Sequence, residues 1–193
     1  MENKKDLTKE LLADCFKELI LAVPFDKITI KMITDKAGLI RLTFYKHFQD
    51  KYEVLEWIFK TDVTDSVDLM ISNHMEVDAL MMLCRCLEKD RRFYRRCYAM
   101  DGPNSFDSIL TRYIYQTFLS LARRYPLKMK NQIPILTHEM IATYYTYGLV
   151  NVIHDWLSLD VECTAEELTT AYKYLLSHSV IDLIAPDSPS RSF

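Results

Sequence analysis

At the start of the chain the apolar positions Leu12, Phe16, Leu19, Ile20 and Val23 recur at i, i+4, i+7, i+8 and i+11, one face of a helix that Pro24 ends. Thr29 is placed to cap a second helix with Ile30, Ile33 and Ala37 inward, and Gly38 allows the left-handed turn that stops it. The stretch 38–48, GLIRLTFYKHF, sets Phe44 and Phe48 four apart. That spacing asks for a short third helix docked on its phenylalanines, with Arg41, Thr43, Tyr45, Lys46 and His47 turned outward. From Asp50 a long fourth helix is predicted over 50–73, with Leu55, Ile58, Phe59 and Val63 inward and N-terminal amides able to help hold a phosphate. Further helices are predicted at 77–89, near 91–99, and at 105–124, 134–157 and 164–184. The last opens on Thr164 with Glu167 three residues on, the spacing of a capping box. Residues 186–193, PDSPSRSF, read as a polar, flexible tail.

No strand signal competes with this pattern. Only three glycines occur in 193 residues, and no Asn-Gly or Asp-Gly pair separates two alternating runs, so the fold class is all-α. The expected organisation is a three-helix head over 1–49, a helical body over 50–185 and the tail. A helix, a tight glycine turn and a second short helix is the helix-turn-helix arrangement, whose second helix is presented to the DNA major groove.

Charge supports that reading only locally. The net charge is −3, but Lys27, Lys31, Lys36, Arg41, Lys46 and Lys51 against Asp35 and Asp50 leave the window 27–51 at +4, and the remainder at −7. The charged N-terminus lacks a secretory pattern and no apolar run approaches a membrane span, so no membrane partner and a cytoplasmic location are expected. Five cysteines without framework spacing point to reduced thiols. Cys84 and Cys86 diverge around a helix and read as small hydrophobes, not metal ligands. His154-Asp155 point apart, His74 and His138 have no facing carboxylate or thiol, and no phosphate loop appears. Neither an enzyme nor a cofactor is expected. Arg91-Arg92-Phe93-Tyr94-Arg95-Arg96 reads as a solvated helix face, with a second nucleic-acid surface as its alternative.

The run from Ile28 to Leu55, ITIKMITDKAGLIRLTFYKHFQDKYEVL, resembles the N-terminal module of the TetR/AcrR family of bacterial transcription regulators. Thr29, Ile33, Ala37, Gly38, Leu39, Thr43, Phe44, Tyr45, His47, Phe48, Lys51 and Leu55 match its pattern. The chain departs from it at Ile40, where a capping Ser is usual, at Leu42, where a small residue or Lys is common, and at Thr34, where Ala packs between the helices. A lost Ser cap costs about 1 kcal/mol, which a packed module tolerates.

The resemblance implies a regulator, expected as a repressor although the sequence does not separate repressor from activator. It implies binding of double-stranded DNA at a palindromic operator as a homodimer, and release by an unknown small-molecule effector. Arg41, Leu42, Thr43 and Lys46 are expected near bases, Lys31 at the groove edge, and Thr29, Tyr45, His47 and Lys51 on the backbone; packing is the alternative for Tyr45 and His47. Leu42 either touches a thymine methyl or is tolerated at the rim. In such proteins the last two long helices form a four-helix bundle with their twofold mates. That implies a dimer interface from Ile141, Tyr145, Gly148, Val152, Trp156, Leu168, Tyr172 and Leu175; the alternative is that 134–157 fills one monomer's core on both faces. Met81, Tyr98, Met100, Tyr113, Tyr144 and Tyr147 are candidates for an apolar ligand pocket with polar tips. The rival function is a protein-interaction co-regulator of the same fold, with a head impaired by Ile40 and Leu42.

Overall fold

The structure is a computed structural model that describes residues 2–100, 102–127, 133–159 and 162–184, the side chains of 2–6 excepted. The predicted tail lies outside the described residues. Eleven helices run through them: α1 Glu2–Ala22, α2 Ile30–Lys36, α3 Arg41–Tyr45, α4 Lys51–Phe59, α5 Asp65–Ser72, α6 Glu76–Lys89, α7 Arg91–Tyr98, α8 Phe106–Arg123, α9 His138–Ser158, α10 Ala165–Ser177 and α11 Val180–Ile184. The all-α architecture is the one the sequence predicts.

The head forms where local signals agree. Thr29 accepts from Met32 N at 3.2 Å and starts α2. Gly38, at φ +67°, reverses the chain after it, and Leu39 N returns to Thr34 O at 2.9 Å. Thr34 is buried, and its hydroxyl is satisfied within the helix by Ile30 O and Lys31 O. α3 has no side-chain cap at Ile40, which takes the extended conformation of an N-cap residue all the same. Burial substitutes for the cap: Phe44 and Phe48 are essentially inaccessible, in one core with Leu12, Phe16, Ile33 and Leu55.

Lys51 belongs to this packing. Its ammonium donates to Phe25 O at 2.8 Å and Ile28 O at 3.1 Å and lies 4.2 Å from the centre of the Phe25 ring. It thereby closes the 3₁₀ turn Phe25–Lys27 against the start of α4. Asp50 caps the same helix by accepting from Tyr52 N and Glu53 N, so these amides are already used and not open to a phosphate.

The predicted helix 50–73 is interrupted. Between α4 and α5, Lys60–Thr64 forms a π-helical turn. Asp62, on that turn, meets α1 of the head: Lys17 Nζ lies 2.5 Å from Asp62 and 3.0 Å from Asp90, the residue before α7. The same ammonium is 5.6 Å from the centre of the Phe93 ring. Burial alone would lower the Lys17 pKa, but the hydrogen bonds it donates to Asp62 and Asp90 outweigh it and the net shift is upward.

In the body α8 and α9 pack along each other, α6 lies against α5 and α10, and α7 joins α1 to α9. Phe106 is the aromatic centre, within 5.0–5.6 Å of the Tyr98, Tyr94 and Phe59 rings. Two predicted boundaries move. α9 starts at His138 because Thr137 caps it through Met140 N, leaving Pro134–Leu136 in a turn. The predicted helix 164–184 breaks after Ser177: His178 is extended, and Ser179 with Asp182 caps a fresh turn, α11. The box of Thr164 and Glu167 forms as predicted.

Lys17→Met should lower the unfolding free energy by about 1–3 kcal/mol in urea titrations, the cost of unpaired carboxylates discounted for their partial exposure, with Lys17→Arg close to wild type. Because the Lys17 pKa is raised on folding, this contribution is fully present below the ordinary lysine range and is lost only as pH rises through the shifted value. The Met variant's deficit should therefore stay constant through neutral pH and shrink in strong alkali. Lys51→Met should cost about 1–3 kcal/mol in the same titrations, since two buried carbonyls lose a charged donor.

Candidate nucleic-acid interface and regulatory cavity

The α2–turn–α3 unit holds an edge of polar and apolar side chains outward. Two positions on either side of buried Phe44, Leu42 and Lys46 stand about 200° around the helix from it, at the centre of the exposed face. Arg41 is exposed, as are Leu42 at 63% and Tyr45 at 58%, and Thr43 is half-buried. Tyr45 packs edge-on against Phe44 at 5.6 Å and leaves its hydroxyl side in solvent. Thr29 is exposed next to this edge, its oxygen accepting from the backbone while its proton remains able to donate. His47 is half-buried with its Nδ1 closed off from solvent.

The positive field of the window is narrower than its charge count. Lys31 pairs with Asp35 on α2, Lys36 pairs with Glu18 at 2.6 Å, and Lys51 is turned inward. Lys51 is therefore corrected from a backbone-gripping residue to a structural one. The reason is geometric: its ammonium lies over the Phe25 ring and donates to the Phe25 and Ile28 carbonyls. Burial accordingly lowers its pKa. Lys31 is different, because its pair is exposed on both sides and such pairs exchange readily for another anion. Lys27, Arg41 and Lys46 have no acidic partner among the described residues.

In the body, residues of α5, α6, α8, α9 and α10 line a half-open apolar cavity of about 220 Å³. Val67, Leu80, Leu83, Phe118 and Leu149 line it, with the Tyr113 and Tyr172 rings as amphipathic members. The Tyr113 hydroxyl donates to Asp68 at 2.8 Å, and that of Tyr172 donates to Tyr145 O at 3.2 Å. Burial, joined for Tyr113 by Asp68, raises both phenol pKa values, so both stay neutral donors. Of the six predicted pocket residues, only Tyr113 lines this cavity. Tyr98 and Met100 pack in the core around Phe106, and Met81 is half-buried elsewhere on α6. Tyr144 and Tyr147 are 74% and 58% exposed on the outer side of α9. Aromatic periodicity marked an amphipathic helix but could not say which neighbours would close a cavity.

The predicted dimer residues divide likewise. Trp156, Leu168 and Tyr172 are buried within the chain; Trp156 donates to Cys163 O at 2.9 Å and lies beneath the Arg91 guanidinium. These three are corrected to core residues. Ile141, Tyr145 and Val152 are half-buried, Tyr145 against Phe118 at 5.8 Å. Gly148 and Leu175 face outward, and a Cβ at Gly148 would meet nothing within 4 Å. The open stripe of α9 is Met140, Tyr144, Tyr147, Gly148 and Asn151, a set that i, i+4, i+7, i+8 spacing identifies once the buried face is known. Leu175 on α10 is half exposed, and Val180, Ile181 and Ile184 on α11 are each more than 60% exposed. The Arg91–Arg96 stretch buries Phe93 and Tyr94 and lays Arg91 over Trp156, so its aromatics serve the core. Cys84 is buried, with its thiol pKa pushed up to about 11 by burial. No helix among the described residues is long and apolar enough to cross a membrane.

Residues 77–178, more than half of the chain, match the TetR C-terminal family described as "Transcriptional regulator C-terminal region". The HTH-type dhaKLM operon transcriptional activator DhaS of Lactococcus lactis subsp. lactis is 29% identical over 98 residues. That match covers 51% of this chain and only 52% of the relative, about half of its length. A solved structure, the dihydroxyacetone kinase operon activator DhaS, superposes with a TM-score of 0.64 over 88% of this chain and 94% of that one, at 19% identity. That likeness concerns the fold alone. The helix-turn-helix head, the all-helical body and the matched C-terminal region together establish that this chain belongs to the TetR family of transcriptional regulators.

Proposed function

We propose that the chain is a dimeric, sequence-specific DNA-binding regulator whose head docks α3 in the major groove. Its apolar cavity takes a small-molecule effector in this reading. The observation that carries it is the edge formed by Arg41, Leu42, Tyr45 and Lys46, exposed and unclaimed by acids while Phe44 and Phe48 anchor it from behind. Thr29, Lys31, Thr43 and His47 are its expected auxiliaries, with Lys51 holding the module from inside. One such helix makes few base contacts, so useful specificity calls for a twofold pair on a palindromic operator. The outer stripe of α9 with Leu175 and α11 supplies an apolar surface for that pairing. We assign the regulator an activating sign rather than the repressor expected from the sequence, because the relative that matches over about half of its length is named an activator. The rival co-regulator reading rested on a head impaired by Ile40 and Leu42. It is not favoured, because α3 forms without its cap and keeps its cations free.

The cavity also has a route to the head. Tyr113 of its lining holds Asp68 of α5, α5 begins where the π turn ends, and Asp62 on that turn is held by Lys17 of α1. An effector shifts this joint only by as much as it prefers one arrangement over the other.

Selection from random duplexes should enrich a palindrome whose affinity falls steeply with salt. Arg41→Ala should cost about 1–3 kcal/mol on that duplex and flatten preference at one symmetric pair of positions; Lys46→Ala should make the salt slope shallower by about 1, and Lys51→Ala should leave it unchanged. Failure to enrich any duplex at low salt overturns the reading. For the dimer, sedimentation should give twice the chain mass for the wild type and the chain mass for Tyr144→Glu. Leu80→Trp, which fills the cavity, should abolish the melting-temperature rise caused by small apolar ligands and keep ligand-free DNA affinity within about threefold.

A further inference from the structure

Ile40, the residue that precedes the five-residue helix α3, and Leu42 within it are 67% and 63% exposed, with Arg41 between them in sequence. Single exposed aliphatics are ordinary. Two at the outward edge of one short element, one of them standing where a capping serine is usual, are not a random scatter. Ile40 precedes the helix in extended conformation, φ −93° and ψ 153°, so its side chain projects beside the first turn. Leu42 lies near the centre of the exposed face with Lys46 one turn further on. Arg41 and Lys46 carry the charge that attracts a polyanion, so the partner must offer negative charge around an apolar group.

The major groove of duplex DNA meets that description at one kind of position only, the C5-methyl group of thymine. Over a G·C pair the same leucine would strip water from hydrogen-bonding groups and return nothing to them. Building on the proposed DNA-binding function, we infer that Ile40 and Leu42 are specificity-determining residues that read thymine methyl groups in each half-site. Part of the sequence is then read by apolar contact, beside the hydrogen bonds that Arg41 and Lys46 can offer.

The test uses the enriched duplex with thymine replaced by 2′-deoxyuridine, one symmetric pair at a time. This removes the methyl and keeps every hydrogen-bonding group of the base. At the contacted pairs the wild type should lose about fourfold per methyl, about 15-fold for a symmetric pair, as burial of one carbon implies. Leu42→Ala should bind the thymine and uracil duplexes equally at one pair of positions, and Ile40→Ala at a different pair. Both positions are exposed, so melting temperatures should match wild type and separate lost readout from misfolding. Wild-type binding that changes less than about twofold at every uracil pair overturns methyl readout and leaves the DNA-binding reading standing. Uracil sensitivity that survives unchanged in a variant removes that residue from the assignment. If no duplex is enriched, both readings fall together.

Discussion

Everything on the outward edge of the head depends on the burial of Phe44 and Phe48. A five-residue helix cannot sustain itself in water, because nucleation costs more than one turn returns. α3 also lacks the side-chain cap that could offset part of that cost. Its geometry is imposed from beneath, by two rings that α1, α2 and α4 enclose, with the Phe48 ring 6.1 Å from that of Trp57 and Lys9 over both. The exposed residues Arg41, Leu42 and Lys46 are therefore free of structural duty. Apolar and cationic side chains can share the face because neither is needed to hold the helix.

The second constraint is the joint between head and body. An uninterrupted helix from 50 to 73 would be a stiff rod; the π turn at Lys60–Thr64 replaces its middle with a wider turn whose hydrogen-bonding pattern is less regular. Lys17 and its two carboxylates hold that turn to α1 and to the start of α7. An ionic contact suits this place. Its partial exposure keeps the cost of breaking it modest, as the proposed effector control of the joint requires.

Much of this architecture is legible in the sequence, and the legible parts share a cause. The cap at Thr29, the left-handed turn at Gly38 and the box of Thr164 with Glu167 are settled by residues within four positions of each other. Longer-range features left no such mark. Lys51 reads as one more cation of a basic window, and only the approach of the Phe25 and Ile28 carbonyls turns it inward. Trp156, Leu168 and Tyr172 share helical spacing with residues that face out. Periodicity separates the faces of a helix but does not say which face meets the rest of the chain and which stays open. The cavity draws walls from five helices, so Tyr113 alone among the predicted residues reached it. The π turn adds a residue to one turn and leaves the apolar pattern around it intact.

The account stands on α3 being the surface that meets DNA. Amide hydrogen exchange, with and without the enriched duplex, tests this most directly. The expected result is slower exchange on adding DNA at residues 29–33 and 40–47, with α6 unchanged. Protection confined to α9–α11, with α3 exchanging as in the free protein, would contradict it.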